Sequence, residues 1–253
     1  MTRIDLNADL GEGYGPWPMG DDAAMLAVVS SVNIACGGHA GDPEVMYATA
    51  ALAQGGGVTV GAHPGYADRP GFGRRVIPMT TGEIERMVAA QIGALTAVAA
   101  LAGAQVRYVK AHGALANLAA DDRSVADALV RAVRGVSRDL AFLAISGTEQ
   151  EAAARAQGLE TFSEIFADRA YLPSGRLVPR SRPGAMLAGA EAVERLLRFL
   201  DSGRMPALDG TPVALAAQSV CVHGDSPGAV ALARQVRHGL QSAGVTITPF
   251  LAP

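Results

Sequence analysis

Segments with the pattern of β-strands alternate with segments that have the pattern of α-helices along most of this 253-residue chain. Arg3 to Asp9 alternates apolar and polar side chains, as a strand does. Asp42-Pro43 opens a helical segment with a capping residue and a proline at the first position. Thr80 and Glu83 form a capping box before a longer helical segment. Repeated β–α units predict a parallel sheet, either closed into a barrel or open with helices on both faces.

The predicted elements run evenly along the chain, with no linker, low-complexity tract or internal repeat, so we expect one α/β domain over residues 1–253. Two Gly/Pro-rich segments, 64–73 and 173–184, are predicted to be long functional loops. The predicted strands are Arg3–Asp9, Val32–Cys36, Val58–Ala62, Val106–Lys110, Leu140–Ile145, Leu159–Ile165 and Ser219–His223, with a short last strand at Val245–Thr248. The predicted helices are Asp22–Val29, 43–54, 81–101, 122–133, Glu149–Ala156, Ala185–Leu200 and Ser226–Ser242.

Composition narrows the class of protein. Hydrophobic residues make up 49% of the chain and charged residues 18%, so a sizeable core can form. The net charge of −3 gives no support to a nucleic-acid or anionic-membrane surface. The most apolar stretch, Ala94 to Ala102, is about half the ~20 residues that a bilayer span needs. Asp5 and Asp9 lie where a signal peptide would be apolar, so we expect a soluble cytoplasmic protein without nucleic-acid or membrane partners.

Polar side chains collect where the predicted strands end. Four of the five histidines lie within a few residues of a strand's C-terminal end, and only His238 lies inside a predicted helix. Because the C-terminal ends of parallel strands meet at one edge of the sheet, we expect these side chains to converge there, where α/β enzymes place their active sites. The converging residues are His39, His63, His112, His223, Asp5, Asn7, Asp9, Lys110 and Asp225.

Several local patterns indicate chemistry, each with a plainer alternative. Asp5, Asn7 and Asp9 share one strand face and form either a catalytic carboxylate set or a solvent-facing edge strand. Lys110 and His112 suit a charge stabiliser and an acid or base. The loop 61–75 carries three arginines that either clamp a carboxylate or phosphate or lie on the surface.

Other features of the sequence favour a structural explanation, and several common functional motifs do not occur in it. Cys36 and Cys221 lie in predicted strands, where a cysteine is usually a small buried residue rather than a nucleophile. Two cysteines do not make a disulfide framework. Histidines with an aspartate would suffice for a divalent metal, yet their spacing matches no local metal signature and non-metal acid–base chemistry explains the same residues. No dinucleotide fingerprint, P-loop or GxSxG elbow is present.

Six segments together make the chain resemble the LamB/YcsF family, the A subunit of prokaryotic ATP-dependent 5-oxoprolinase. The resemblance implies a seven-stranded β/α barrel related to the polysaccharide-deacetylase superfamily. It also implies hydrolysis of 5-oxo-L-proline to L-glutamate, with ATP as cosubstrate and separate B and C subunits as partners. The segments are IDLNADLGEGYG (4–15), VNIACGGHAGDP (32–43), VGAHPGYADRPGFGRR (60–75), VKAHGALAN (109–117), EIFADRAYLPSGRLVPR (164–180) and VCVHGDSPGA (220–229).

Carried over position by position, the resemblance implies site residues. Related deacetylase-like barrels hold a divalent metal with an Asp and two His, and Asp9, His39 and His63 are the matching candidates here. The expected catalytic residues are Asp9, His39, His63, Lys110 and His112, with Asp9 or His112 as general base. The expected substrate-binding residues are Asp5, Asn7, Glu12, Arg74, Arg75, Asp168, Arg169 and His223.

The chain departs from the family pattern at Ala111 and Ala116, where the family usually has a proline and an aromatic residue. Because Ala116 would reshape a pocket wall, the identity of the substrate is the property most open to change. Two alternatives stay open at this point. One is a stand-alone metal-dependent amide or ester hydrolase of the deacetylase type, and the other is a non-catalytic, metabolite-binding subunit.

Overall fold

A computed structural model describes residues 2–187, 189–223 and 228–252. Within these residues, parallel strands close into a seven-stranded barrel, because the last barrel strand pairs with both its predecessor and the first strand. An eighth, short strand extends the first strand at its beginning. The barrel strands are β1 (Arg3–Leu10), β2 (Ser31–Ala35), β3 (Thr59–His63), β4 (Val106–Val109), β5 (Ala141–Ile145), β6 (Thr161–Phe166) and β9 (Ser219–His223). The others are the hairpin β7 (Arg204–Pro206) with β8 (Pro212–Ala214), and β10 (Thr246–Ile247).

Helices cover the outside of the barrel. Their starts follow the capping signals of the sequence: Asp42 accepts from the backbone N–H groups of Glu44 and Val45, and Thr80 forms the full capping box with Glu83. The helices are α1 (Asp22–Leu26), α2 (Pro43–Gly56), α3 (Thr81–Leu101), α4 (Gly113–Asp121), α5 (Arg123–Val136), α6 (Glu149–Ala156), α7 (Gly189–Ser202) and α8 (Ala229–Ser242).

The alternation along β1 separates two environments. Ile4, Leu6 and the apolar residues that follow at every second position belong to the main hydrophobic core under the helices. The polar residues between them form hydrogen bonds across the barrel interior, for example from Asn7 on β1 to Glu164 on β6. The main core therefore lies between barrel and helices, whereas the inward-facing residues of β1 are polar; a separate apolar cluster contains Tyr108, Ala141 and Leu143.

Most predicted elements are confirmed, and the closed barrel replaces the open sheet as the architecture. The sequence missed α4, which directly follows the loop after β4, and the short β7–β8 hairpin. The predicted helix from Ala185 begins later, at Gly189, because Ala185 and Leu187 hydrogen-bond through their backbones to the loop after β6. The predicted start of the last helix and the predicted strand-end residue Asp225 lie outside the described residues.

Helix α3 has the bounds that the sequence predicts, 81–101, but it is apolar over more of its length than the stretch Ala94 to Ala102. By length and composition, the 21-residue α3 passes the criteria for a membrane span, with a mean hydropathy of 1.4 in its best window. Its buried side chains, among them Ile84, Val88 and Leu95, belong to the main core of the barrel. A core helix of a globular protein can meet the same criteria, so these criteria alone do not identify α3 as a membrane span.

Candidate active site at the barrel mouth

A cavity of about 430 Å³ opens at the C-terminal ends of the barrel strands. Its wall is built from strand ends and from the loops that follow β3, β4 and β6. Ala111 and Ala116, two positions at which the chain departs from the family pattern, line it. The polar side chains that line it are Asp9, His63, Arg74, Lys110, His112, Asn117, Asp121, Thr148, Arg169, Arg176, Arg180 and His223.

Lys110 lies at the bottom of the cavity, where two carboxylates, Asp9 from β1 and Glu164 from β6, hold its ammonium group. Lys110 Nζ lies 2.8 Å from Asp9 Oδ1 and 2.9 Å from Glu164 Oε1. Burial lowers the pKa of Lys110, but Asp9, Cys221 and Glu164 raise it more, so it stays far above its ordinary range. Burial raises the pKa of Asp9, but His63 and Lys110 lower it more, so Asp9 is ionised. The site therefore contains a permanent buried positive charge.

Three histidines pack together beside this charge. His39 and His112 stack with ring centroids 3.5 Å apart, and the edge of His63 meets both. Glu12 Oε1 lies 3.1 Å from His39 Nε2. The loop after β3 closes over the rings at Gly73, whose φ is +61° and where a Cβ atom would lie 2.7 Å from His39. A side chain at position 73 would thus be both strained and obstructed.

Backbone contacts fix the protons of two of these rings. His63 Nδ1 lies 2.9 Å from the carbonyl oxygen of Lys110, and His112 Nε2 lies 2.9 Å from that of Phe72, so both nitrogens donate. The two remaining nitrogens face each other at 3.0 Å and need one further proton between them. Burial lowers the pKa of His112 to about 3, and Asp9 Oδ2 lies 3.3 Å from His63 Nε2.

Glu12, His39, His63 and His112 also bring potential metal-ligating atoms within 4.8 Å of one another. Imidazole and carboxylate donors suit zinc and similar ions. An imidazole nitrogen, however, binds a metal in the plane of its ring, and the His39 and His112 planes are nearly parallel, 2° apart. As arranged, Glu12, His63 and one of the stacked pair fit an ion, but the four side chains do not fit one ion together.

His223, at the end of β9, also lines the cavity. Its Nδ1 is 2.8 Å and 3.0 Å from the two carboxylate oxygens of Asp168, which is buried. The ring packs against Phe166, with centroids 5.5 Å apart and planes 14° apart. Burial raises the pKa of Asp168, but His223 lowers it more, so the net pKa is below its ordinary value. Asp168 is therefore an ionised acceptor that fixes the orientation of the His223 ring.

The cavity wall is rich in arginine, and these arginines differ in their hydrogen-bond and ion-pair partners. Arg176 Nε lies 2.5 Å from Asp121 Oδ1. Arg169 is buried and donates from Nη2 to the Val178 carbonyl at 2.7 Å, while its Nε has no hydrogen-bond partner among the described residues. Burial and the nearby Arg180 lower the pKa of Arg169. An anionic group bound at Arg169 would relieve both costs.

With this geometry established, comparison with known proteins gives the family. The model of the LamB/YcsF family matches residues 4–253. The chain belongs to the LamB/YcsF family. A protein of Rhodopseudomonas palustris that is named as the A subunit of 5-oxoprolinase is 51% identical over 250 residues, which is 98% of each chain. One of the same name from Nitrobacter hamburgensis is 48% identical, again over 98% of each chain.

Solved structures support the fold of this LamB/YcsF chain. The lactam utilization protein of Thermus thermophilus is 43% identical and superimposes with a TM-score of 0.93, covering 98% of this chain and 100% of that one. A T48 deacetylase with substrate matches with a TM-score of 0.51 at 11% identity, covering 98% of this chain and 87% of that one. The second likeness shows the barrel fold alone and says nothing about chemistry.

The predicted site residues fall into three places in this LamB/YcsF barrel. Seven line the cavity. Four others contact cavity residues or lie in the barrel interior next to them: Asn7, Glu12, His39 and Asp168. Two lie apart from the cavity, namely Asp5, which is bound by serine hydroxyl groups, and Arg75, which is paired with Asp68. The seven in the wall are Asp9, His63, Arg74, Lys110, His112, Arg169 and His223.

The predicted metal set is divided in the structure. His39 and His63 belong to the four-residue group described above, whereas Asp9 belongs to a second group with Cys221 and His223. The nucleophile alternative has no support, because burial raises the pKa of the Cys36 thiol to about 12 and that of Cys221 far above its usual value.

Sequence reasoning missed Glu164, the second counterion of Lys110, and did not select Arg176 or Arg180 for the site. Glu164 has no local signal beyond being a carboxylate inside a predicted buried strand. Such a residue must have a partner, because an unpaired buried charge is costly. That rule predicts that Glu164 has a partner but does not identify it. The partner, Lys110, follows β4 and is distant from Glu164 in sequence.

Proposed function

We propose that this chain is the A subunit of a 5-oxoprolinase, which opens 5-oxo-L-proline to L-glutamate while ATP is cleaved to ADP and phosphate. The observation that carries the proposal is the cavity, where a buried ammonium group and an incompletely paired arginine face one small space. A cyclic amide with one carboxylate offers a matching oxygen and anion. The relatives that are 48% to 51% identical, all named as the A subunit of 5-oxoprolinase, support the same conclusion.

The proposed roles follow from the contacts. Arg169 binds the substrate carboxylate through Nε, which has no hydrogen-bond partner among the described residues. Lys110 stabilises negative charge on the lactam oxygen mainly by its field, because two of its N–H groups point to carboxylates and the third faces the weak acceptor Cys221, 3.1 Å away. Asp9 keeps Lys110 and His63 in place, and Glu12 does the same for His39. The neighbouring arginines add positive potential that attracts an anionic substrate.

We assign the ATP-dependent step to the assembled enzyme. The relatives are named as one subunit of an enzyme, which implies further subunits, and we propose that these are the B and C subunits. The sequence contains no P-loop of the GxxxxGK[ST] type. We also propose that the chain forms one domain and that its compartment is the cytoplasm. The stand-alone metal-dependent hydrolase is not favoured, because the deacetylase likeness is limited to the fold.

Reconstitution tests the proposal. The chain is purified alone and together with its B and C subunits, and glutamate is measured from 5-oxo-L-proline with ATP, without nucleotide, or with a non-hydrolysable ATP analogue. We expect glutamate only when all subunits and ATP are present. Glutamate in none of these mixtures would contradict the proposal. Hydrolysis of amides by the chain alone, dependent on a divalent metal and independent of ATP, would restore the alternative.

A further inference from the structure

The pairing of Asp168 with His223 bears on how water is activated in the reaction, and this inference rests on the proposed function. We infer that His223 is the general base that activates the attacking water, and that Asp168 is its positioning residue. The sequence analysis expected both residues to bind substrate and looked for the base at Asp9 or His112. The contacts of each ring nitrogen lead to the different assignment.

The hydrogen bond to Asp168 fixes the proton of His223. The carboxylate of Asp168 accepts from Nδ1 through both of its oxygens, at 2.8 Å and 3.0 Å. The N–H of a neutral imidazole therefore lies at Nδ1, and the lone pair lies at Nε2. Phe166 packs against the ring face and holds its plane. This is the arrangement of a base oriented by a carboxylate, the same logic by which an aspartate orients the histidine of a hydrolase triad.

Nε2 of His223 has no hydrogen-bond partner within the part of the chain that the structure describes, and His223 lines the cavity. The other candidates differ in this respect. His39 Nε2 contacts Glu12, and its Nδ1 is sealed from solvent. Both nitrogens of His63 and of His112 are already engaged. Among the described site histidines, only His223 therefore offers a free basic nitrogen to the cavity.

The neighbourhood of His223 suits this role. Potential metal-ligating atoms of Asp9, Cys221 and His223 lie within 4.8 Å of one another. Lys110 Nζ lies 2.8 Å from Asp9. The base and the positive charge therefore share two neighbours, Asp9 and Cys221. A lactam carbonyl in this space would have its oxygen near the ammonium group and its carbon open to a water molecule held by His223.

The proton balance is simple. As the water oxygen bonds to the lactam carbon, one water proton passes to His223 Nε2, and negative charge on the carbonyl oxygen is stabilised by the field of Lys110. As the carbon–nitrogen bond then breaks, the same proton passes from Nε2 to the departing ring nitrogen. The net change is the addition of one water molecule across the amide bond, and His223 returns to its neutral form. The assembled enzyme couples this step to ATP cleavage, in which the γ-phosphoryl group passes to a second water molecule and leaves as phosphate, and this cleavage supplies the driving force.

The kinetic test uses the enzyme assembled with its B and C subunits. We expect His223→Gln to lower kcat by about 10²-fold or more, with KM changed by less than about threefold, because a base acts in the transition state. Asp168→Asn should lower kcat by about tenfold or more, since it removes the anion that fixes the tautomer. Added imidazole should raise the kcat of His223→Gly. The matched control, His238→Gln on the exposed face of α8, should keep wild-type kinetics.

The outcomes separate this inference from the proposed function. If the wild-type assembly makes glutamate and His223→Gln keeps kcat within about threefold, the base assignment is wrong while the function stands. If the wild-type assembly makes no glutamate, both are wrong. A readout independent of activity is the ¹⁵N spectrum of histidine-labelled chain. We expect His223 to be protonated at Nδ1 in wild type and to lose that preference in Asp168→Asn; a proton on Nε2 in wild type would overturn the inference even if turnover were lost.

Discussion

Buried polar side chains in two regions of the barrel differ in how completely their hydrogen-bonding groups are used. In the barrel floor, which we define as Asp5, Ser30, Ser31 and Ser219, the hydroxyl groups of the three serines supply both oxygens of the carboxylate with hydrogen bonds. In the barrel mouth, the cavity wall described above, Arg169 Nε has no partner among the described residues. A buried side chain at the mouth whose hydrogen-bonding group is left over is thus a candidate for ligand binding, whereas the fully hydrogen-bonded carboxylate of the floor has a structural role.

Lys110 connects the two regions, and its removal should have the largest effect. Lys110→Met leaves the buried carboxylates of Asp9 and Glu164 without their cation. We expect the free energy of unfolding to fall by about 3–5 kcal/mol and kcat/KM of the assembled enzyme to fall by about 10³-fold or more. Denaturant unfolding and the glutamate assay measure the two effects. The surface variant Arg198→Met, whose partner Glu194 is equally exposed, should lose less than about 1 kcal/mol.

If Lys110→Met unfolded at nearly the wild-type denaturant concentration, the buried ion pairs would not hold the barrel together. The carboxylates would then have to take up protons on loss of the cation. Comparing the unfolding of the variant at pH 5 and pH 8 distinguishes these cases, because uncompensated carboxylates become more costly as the pH rises.

A variant of Arg169 tests whether a hydrogen-bonding group that has no partner among the described residues of the mouth binds the substrate. Replacing Arg169 with Gln removes the charge-assisted hydrogen bonds to an anionic group, typically about 1.5–3 kcal/mol. We expect KM for 5-oxo-L-proline to rise by about 10- to 100-fold with kcat within about threefold. Arg198→Gln is the matched surface control. An unchanged KM would mean that another arginine of the wall binds the carboxylate and that the Arg169 charge has a structural role.

The fold could be predicted in most of its parts because its signals are local. Asp42, Thr80 and Glu83 are capping residues whose role depends on their near neighbours in sequence. Helix α4 was missed because it begins at Gly113 without a side-chain cap and has apolar residues on most faces, so it has no clear period. Closure into a barrel depends on β9 pairing with β1, and only the family resemblance indicated it before the structure.

The site could be predicted only to the level of which residues approach the strand ends. Asp5 and Asp9 have the same period along β1, and the sequence cannot say that one meets serines and the other a lysine. That difference depends on the register between β1 and β9, which places Ser219 opposite Asp5 and His223 opposite Asp9. The pairing of Glu164 with Lys110 likewise requires the closed barrel, because the two residues lie on strands that are not neighbours in the sheet.

Replacing Asp5 should have the smallest effect on activity, and it tests the barrel floor most directly. Asp5→Asn should keep kcat and KM within about threefold, because Asp5 does not line the cavity. Burial raises the pKa of Asp5 from 3.8 to about 6, so the folded state binds its proton more tightly than the unfolded chain does. This contribution to stability is complete below about pH 4 and is lost as the pH rises through 6, the opposite of a salt-bridged aspartate.

Asparagine does not titrate, so the stability of Asp5→Asn relative to wild type should increase between pH 4 and pH 7, by up to roughly 3 kcal/mol for the pKa difference given above. Denaturant unfolding of both proteins across this range measures it, and contributions from all other groups cancel in the difference. A relative stability that did not change with pH would mean that the floor keeps Asp5 as easily ionised as solvent does. A large loss of activity would instead mean that the floor and the mouth act together, since the network through Asn7 and Lys110 would then transmit the change.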